Sequence, residues 1–290
     1  MQIGVVFPQT EIGSDPTAVR DYVQAVEGAG YAHLLTYDHV LGAERDRPEG
    51  FTGPYDSDTM FHEPFVLFGY LAAITSTLEL VTGIIILPQR QTALVAKQAA
   101  EIDVLSNGRL RLGIGVGWNA VEYEALGEDF HTRGRRVEEQ IALLRALWSE
   151  PVVNFEGKYH HVPRAGINPL PPRRAIPIWF GGMSEVVIER CGRLADGWFP
   201  QYREPEQLAA GLERLHAAAR AADRDPGDIG IESRIGLDGA DPAAAVALAR
   251  RWSEAGATHL SVNTMDAGFS STQQHIDAVT SFIEAGGDSL

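Results

Sequence analysis

The chain has 290 residues, 44% hydrophobic and 22% charged, enough for one large core or two small ones and too balanced for a disordered or fibrous protein. Its 24 basic against 39 acidic side chains leave a net charge of −15, which disfavours nucleic acid and anionic membrane surfaces as partners. The longest apolar stretch, residues 81–87 with neighbours, falls far short of the ~20 residues that span a bilayer; Met1-Gln2-Ile3-Gly4 carries no cationic leader, and the single Cys191 allows no internal disulfide, so a cytoplasmic protein is expected.

Apolar, β-branched runs alternate with segments of helical periodicity along the whole chain. Predicted strands cover residues 2–7, 33–37, 78–87, 110–115, 176–181, 197–200, 229–237 and 258–263. Predicted helices cover 16–28, 64–75, 93–105, 133–149, 185–194, 204–222, 242–255 and 271–284. Eight βα units in a chain of 290 residues predict one α/β domain over 1–290, a (β/α)8 TIM barrel, in preference to an open doubly wound sheet. Ser14-Asp15-Pro16 starts the first helix with a capping side chain and a first-turn proline, and Asp241-Pro242 repeats the scheme. Two stretches exceed a minimal barrel: a long polar loop over 41–63 after strand two, and a hairpin over 152–162, turning at Glu156-Gly157, before strand five. Either insertion is expected to cover the site or meet a partner.

In such a barrel the chemistry sits on loops at the carboxyl ends of the strands. Asp38-His39 follows strand two, where an imidazole beside a carboxylate can exchange a proton, although a helix cap plus a surface histidine gives the same pattern. Gly83 and Ile84 end strand three, where a glycine marks either a barrel bend or a close ligand approach. Strand four runs into Gly113-Ile114-Gly115-Val116-Gly117-Trp118-Asn119, whose spacing misses the dinucleotide fingerprint but leaves backbone open to a flat ligand at Gly115 and Gly117, with Asn119 as donor and acceptor. Gly181-Gly182-Met183-Ser184 opens a helix and offers N–H groups to an anion, or is simply a tight turn with a cap. Trp198 and Gln201 end strand six, as pocket wall or core. The histidine pairs His160-His161 and His62 with Glu63 lack the spacing of a metal site, so no metal is expected. Glu232 and Arg234 share parity in strand seven and are expected to form a buried structural ion pair.

Taken with Thr36-Tyr37-Asp38-His39, Thr82-Gly83-Ile84, Leu105-Ser106-Asn107-Gly108-Arg109-Leu110, Gly115-Val116-Gly117-Trp118-Asn119 and Gly181-Gly182-Met183-Ser184, the chain resembles the bacterial luciferase-like monooxygenase superfamily over essentially its whole length, most closely the branch that uses the deazaflavin coenzyme F420. The resemblance implies a tricyclic cofactor across the barrel mouth, a non-prolyl cis peptide at Gly83–Ile84 behind its central ring, Asp38 and His39 at its headgroup, and Asn119 with Gly181, Gly182, Met183 and Ser184 at its ribityl and phosphate portion. The implied activity is hydride transfer between coenzyme F420 and a small organic substrate, with His39 transferring a proton or polarising the headgroup and Asp38 orienting it. Alternatives are an FMN-dependent monooxygenase using reduced flavin and oxygen, and a flavin-binding barrel without catalysis. Arg90, Lys97 and Arg133 are candidate partners of the coenzyme's polyglutamate tail, and a homodimer pairing through outer helices is expected from the resemblance.

Overall fold

A computed structural model of the chain describes residues 1–237, 239 and 241–290. In chain order the elements are β1 (Gln2–Val6), α1 (Pro16–Gly28), β2 (His33–Thr36), α2 (Pro64–Ile74), β3 (Glu79–Thr82), β4 (Ile85–Ile86), α3 (Thr92–Leu105), β5 (Leu110–Gly115), α4 (Ala120–Ala125) and α5 (Arg133–Ser149). There follow β6 (Val153–Glu156), β7 (His161–Ala165), β8 (Ile178–Gly181), α6 (Glu185–Leu194), β9 (Gly197–Phe199), α7 (Leu208–Ala221), β10 (Gly230–Gly236), α8 (Pro242–Glu254), β11 (His259–Asn263) and α9 (Thr272–Glu284). Parallel pairing runs β3-β2-β1-β11-β10-β9-β8-β5-β4 and closes through β3 on β5, so β3 and β4 are two halves of one barrel strand and the expected eight-stranded barrel is present.

The predicted start of α1 is built as read: Pro16 occupies the first turn, the Asp15 carboxylate accepts from the Thr17 N–H at 2.9 Å, and Val19, Tyr22, Val23 and Val26 bury one helical stripe. Three predicted elements change. The continuous strand expected over 78–87 is broken by a cis Gly83–Ile84 peptide, and Leu87–Gln89 form a single 3-10 turn. The short helix α4 is additional, starting at Asn119. The helix expected over 204–222 divides into a 3-10 turn, Pro205–Gln207, and α7.

The hairpin β6–β7 is present, but it packs away from the barrel mouth. The Glu139 carboxylate of α5 accepts from the N–H groups of Lys158 and Tyr159 and meets the His160 ring, whose other nitrogen lies 2.8 Å from the Thr92 hydroxyl of α3. The Leu105–Leu110 turn is likewise structural: Arg109 donates to the carbonyls of Ala72, Thr75 and Leu78, satisfying the exposed end of α2.

Residues facing the barrel axis fall into layers. At the base His33, Arg111, Glu232 and Ser261 are buried together, and above them Val6, Leu35, Val81, Trp179 and Phe199 form an apolar plug. Trp179 fits because Gly197 and Gly230 flank it; a Cβ at either would fall inside the indole. Glu232 accepts from Arg111 at 2.6 Å and from Ser261 at 2.6 Å, and lies 3.0 Å from the His33 ring. The expected Glu232–Arg234 pair is therefore corrected: both side chains face inward, but they are two residues apart along a strand, so they occupy different layers.

Burial alone would push the Glu232 carboxyl up, but His33, Arg111 and the hydrogen bonds from His33 and Ser261 overcome it and hold the group well below the ordinary carboxylate range. Burial and Arg111 together lower His259 to about 3, leaving that imidazole neutral. A carboxylate whose folded pKa is depressed stabilises the fold above its ordinary value of 4.5 and loses that stabilisation as pH falls below it. Glu232→Gln is expected to destabilise the protein at neutral pH by about 3–5 kcal/mol, because Arg111 keeps a buried charge. Melting curves are expected to show a shallower loss of stability for this variant than for wild type between about pH 5 and about pH 3.

Candidate active site

Above the apolar plug, the carboxyl ends of β2, β4, β5 and β8 enclose a cavity of about 670 Å³. It brings together Asp38, His39, Gly83, Ile84, Gly115, Gly117, Gly181, Gly182, Met183 and Ser184. Asn119 stands behind this wall, buried, with its Oδ1 accepting from the Val121 N–H at 3.1 Å to cap α4 and its Nδ2 without a partner.

The glycines at the rim are occupied from within. A Cβ at Gly115 would strike the Ile84 side chain, one at Gly181 would lie 3.1 Å from Ile84 Cγ2, and one at Gly117 would meet Ile86. Gly115 and Gly181 thus seat Ile84 between β5 and β8, and the cavity lies over that branched side chain as well as bare backbone. At the opposite wall Gly182 has φ +136°, a region only glycine adopts readily, and its carbonyl accepts from Trp198 Nε1 at 2.7 Å. Trp198 is core, fixing this turn. Ser184 precedes α6 with no side-chain capping bond, so the positive end of the helix faces the cavity with its hydroxyl free.

His39 sits at the cavity edge, its side chain 11% exposed, in an aromatic collar with ring centroids at 4.7 Å from Phe61, 4.9 Å from Tyr55 and 5.7 Å from Trp118. Tyr55 and Phe61 come from the 41–63 loop, so this insertion, unlike the hairpin, covers the site. The carboxylate near the ring belongs to Glu122: its Oε1 lies 3.4 Å from His39 Nδ1 and accepts from the N–H of Val40 at 2.8 Å. Sequence reasoning missed Glu122, although Asn119-x-x-Glu122 has the spacing of a helix-capping box.

The expected orienting role of Asp38 is corrected. Its Oδ1 accepts from Arg90 at 2.8 Å and its Oδ2 from the Ile86 N–H at 3.1 Å, so both oxygens are taken. Burial pushes this carboxyl above its ordinary value even though Arg90 and the Ile86 N–H oppose the shift. Asp38 ties the end of β2 to β4 and holds Ile84 in place. Arg90 is shared with Glu63 at 3.0 Å, Lys97 donates to the Asn168 carbonyl at 2.6 Å, and the Arg133 guanidinium folds over Phe130 at 3.6 Å. The three candidate tail-binding cations are thus engaged with the protein.

Arg234, read from sequence as a buried partner of Glu232, instead reaches the mouth. It donates to the Tyr37 hydroxyl at 2.5 Å, lies 5.3 Å from that ring's centroid, and lines the cavity together with Gln201. A floor of Ile84 and bare glycine backbone, with a histidine and a helix start on its rim, can hold a planar ligand with a polar chain and offer a proton to its edge.

Comparison with known proteins gives the family and the fold. The chain is 31% identical over 239 residues to an uncharacterized protein of Mycobacterium tuberculosis, covering 80% of this chain and 81% of that protein. It is 32% identical over 219 residues to an FMNH(2)-dependent dimethylsulfone monooxygenase of Pseudomonas fluorescens, covering 74% of this chain and 56% of that protein. Among solved structures, an F420-dependent secondary alcohol dehydrogenase in complex with an F420-acetone adduct superposes with TM-score 0.80 at 19% identity over 98% of both chains. A coenzyme F420 dependent tetrahydromethanopterin reductase from Methanopyrus kandleri superposes with TM-score 0.73 at 17% identity, covering 96% of this chain and 97% of that one. At these identities the two structures speak for the fold. Residues 1–285 match the luciferase-like monooxygenase family, and with its barrel, its mouth and these relatives the chain belongs to that family of oxidoreductases and monooxygenases.

Proposed function

We propose that the chain is an oxidoreductase that binds coenzyme F420 across the barrel mouth and moves a hydride between the deazaflavin and a small organic substrate. The observation that carries this reading is the placement of His39 at the edge of a cavity floored by Ile84 and bounded opposite by the start of α6. The bound deazaflavin supplies hydride exchange at its C5 carbon. With the coenzyme in place, Ile84 would support the ring, the Gly181–Ser184 turn would meet its polar chain, and His39 would hold or give the proton at the ring or the substrate oxygen. Glu122, by facing Nδ1, fixes the ring orientation so that Nε2 serves the cavity. Tyr55, Phe61 and Trp118 keep water from this edge.

A second reading, an FMN-dependent monooxygenase, is favoured by the FMNH(2)-dependent relative. Titration of the purified protein with coenzyme F420 and with FMN decides between them: tighter F420 binding supports the deazaflavin reading, and tighter FMN binding with oxygen-consuming turnover overturns it. Binding of either with no redox exchange toward any acceptor marks a barrel without catalysis.

We also propose a cytoplasmic homodimer. Among the described residues no helix is long and apolar enough to cross a membrane, and exposed Val66 and Tyr70 on α2 with Leu94 and Leu105 on α3 give the outer surface apolar contacts that a second copy can bury. Sedimentation is expected to give twice the chain mass for wild type and monomers for Leu94→Glu.

For His39→Ala, turnover followed by deazaflavin absorbance against a panel of small alcohols and ketones is expected to drop about 10²-fold, with the melting temperature moved only slightly. Glu122→Gln is expected to retain part of the rate but to displace the pH profile, since it alters His39 without touching substrate. Equal loss of rate and stability in both variants would count against these roles.

A further inference from the structure

Past Tyr37, Gln201 and Arg234 the mouth continues into a second cavity of about 410 Å³, over the ends of β9, β10 and β11. This half is chemically unlike the first. Arg203 and Arg234 both line it and, among the described residues, no aspartate or glutamate does. Among the described residues neither guanidinium has a carboxylate within ion-pair distance, whereas half-buried Arg90 and buried Arg111 are each held by two. Arg234 is fixed by one donation to the Tyr37 hydroxyl and by its ring, which leaves its remaining N–H groups for a ligand. Pro200, Ile235 and Leu248 supply an apolar wall beside the charges.

Two arginines on one concave surface, neither with a carboxylate partner among the described residues, concentrate positive potential there in a chain of net charge −15. A guanidinium matches a planar oxyanion with two parallel hydrogen bonds, and an apolar wall beside it matches a hydrocarbon body. We propose that this second cavity is the substrate subsite and that the substrate is a small organic acid, its carboxylate held by Arg203 and Arg234 and its body directed past Tyr37 toward His39. This assignment rests on the oxidoreductase reading above and names the substrate class for the same site.

The carboxylates of a deazaflavin tail share this chemistry, so the test separates the two sources. Benzoate and benzyl alcohol, a pair differing in charge, are titrated into wild type, Arg203→Gln and Arg234→Gln at constant ionic strength, with and without cofactor, by the rise in melting temperature. Benzoate is expected to bind wild type more tightly than benzyl alcohol, also with cofactor present, and each substitution is expected to weaken benzoate about tenfold. Arg203 lines only the second cavity, so Arg203→Gln is expected to bind coenzyme F420 and its tail-less ribityl deazaflavin as wild type does, which also shows that the variant is folded. Equal binding of the two probes, or benzoate affinity unchanged in both variants, would overturn the proposal. Weakened F420 with unchanged tail-less analogue in Arg203→Gln would assign the arginines to the coenzyme tail and overturn it as well. Failure of wild type to bind F420 or FMN would remove the cofactor reading, and the benzoate comparison would still decide the anion site.

Discussion

The mouth of this barrel depends on where one isoleucine goes. The third barrel strand stops at Thr82, and the chain re-enters the sheet at Ile85, so Ile84 is turned inward between Gly115 and Gly181. A Cβ at Gly115 would clash with Ile84, and one at Gly181 would crowd it at 3.1 Å. The same segment is pinned by the Ile86 N–H on Asp38, which makes the buried carboxylate a part of the floor's support. Position in sequence put Asp38 and His39 together; the alternation of side chains along an extended segment sends them to different tasks.

The strand and helix count was legible because each unit announces itself locally: β-branched runs, a capping Asp15 before Pro16, glycines after helices. The break at Gly83–Ile84 was not legible from periodicity, since Leu78 to Leu87 reads as one apolar run, and only the family resemblance placed it. The members of the cleft were readable from the strand ends, but their pairings were not. Glu122 reaches His39 across 83 residues of chain, and Arg111 reaches Glu232 across 121, distances at which no local pattern constrains partners. Arg234 was misassigned for the same reason: parity gave its direction, while its height along the barrel axis decided that it met Tyr37 and not Glu232.

Charge is distributed by depth. At the base, Arg111 and Glu232 pair out of water with the His33 ring 3.0 Å from the carboxylate, and Arg111 lies 4.3 Å from the centroid of the Trp179 indole above. Near the mouth Arg234 meets the Tyr37 hydroxyl and, among the described residues, no carboxylate. The apolar plug stands between the two layers and touches both, Trp179 meeting Arg111 below and Tyr37, the acceptor of Arg234, packing on it above.

Arg90 joins Asp38 to Glu63, which are the residues on either side of the long connection that follows β2. One guanidinium therefore fastens both anchor points of the segment carrying Tyr55 and Phe61, and the barrel does not sense how many residues run between them. Lengthening such a tethered excursion costs only about 0.6 kcal/mol per doubling. That makes the segment separable from the barrel: its length and the side chains it carries can change while the Arg90 clamp and the floor stay as they are.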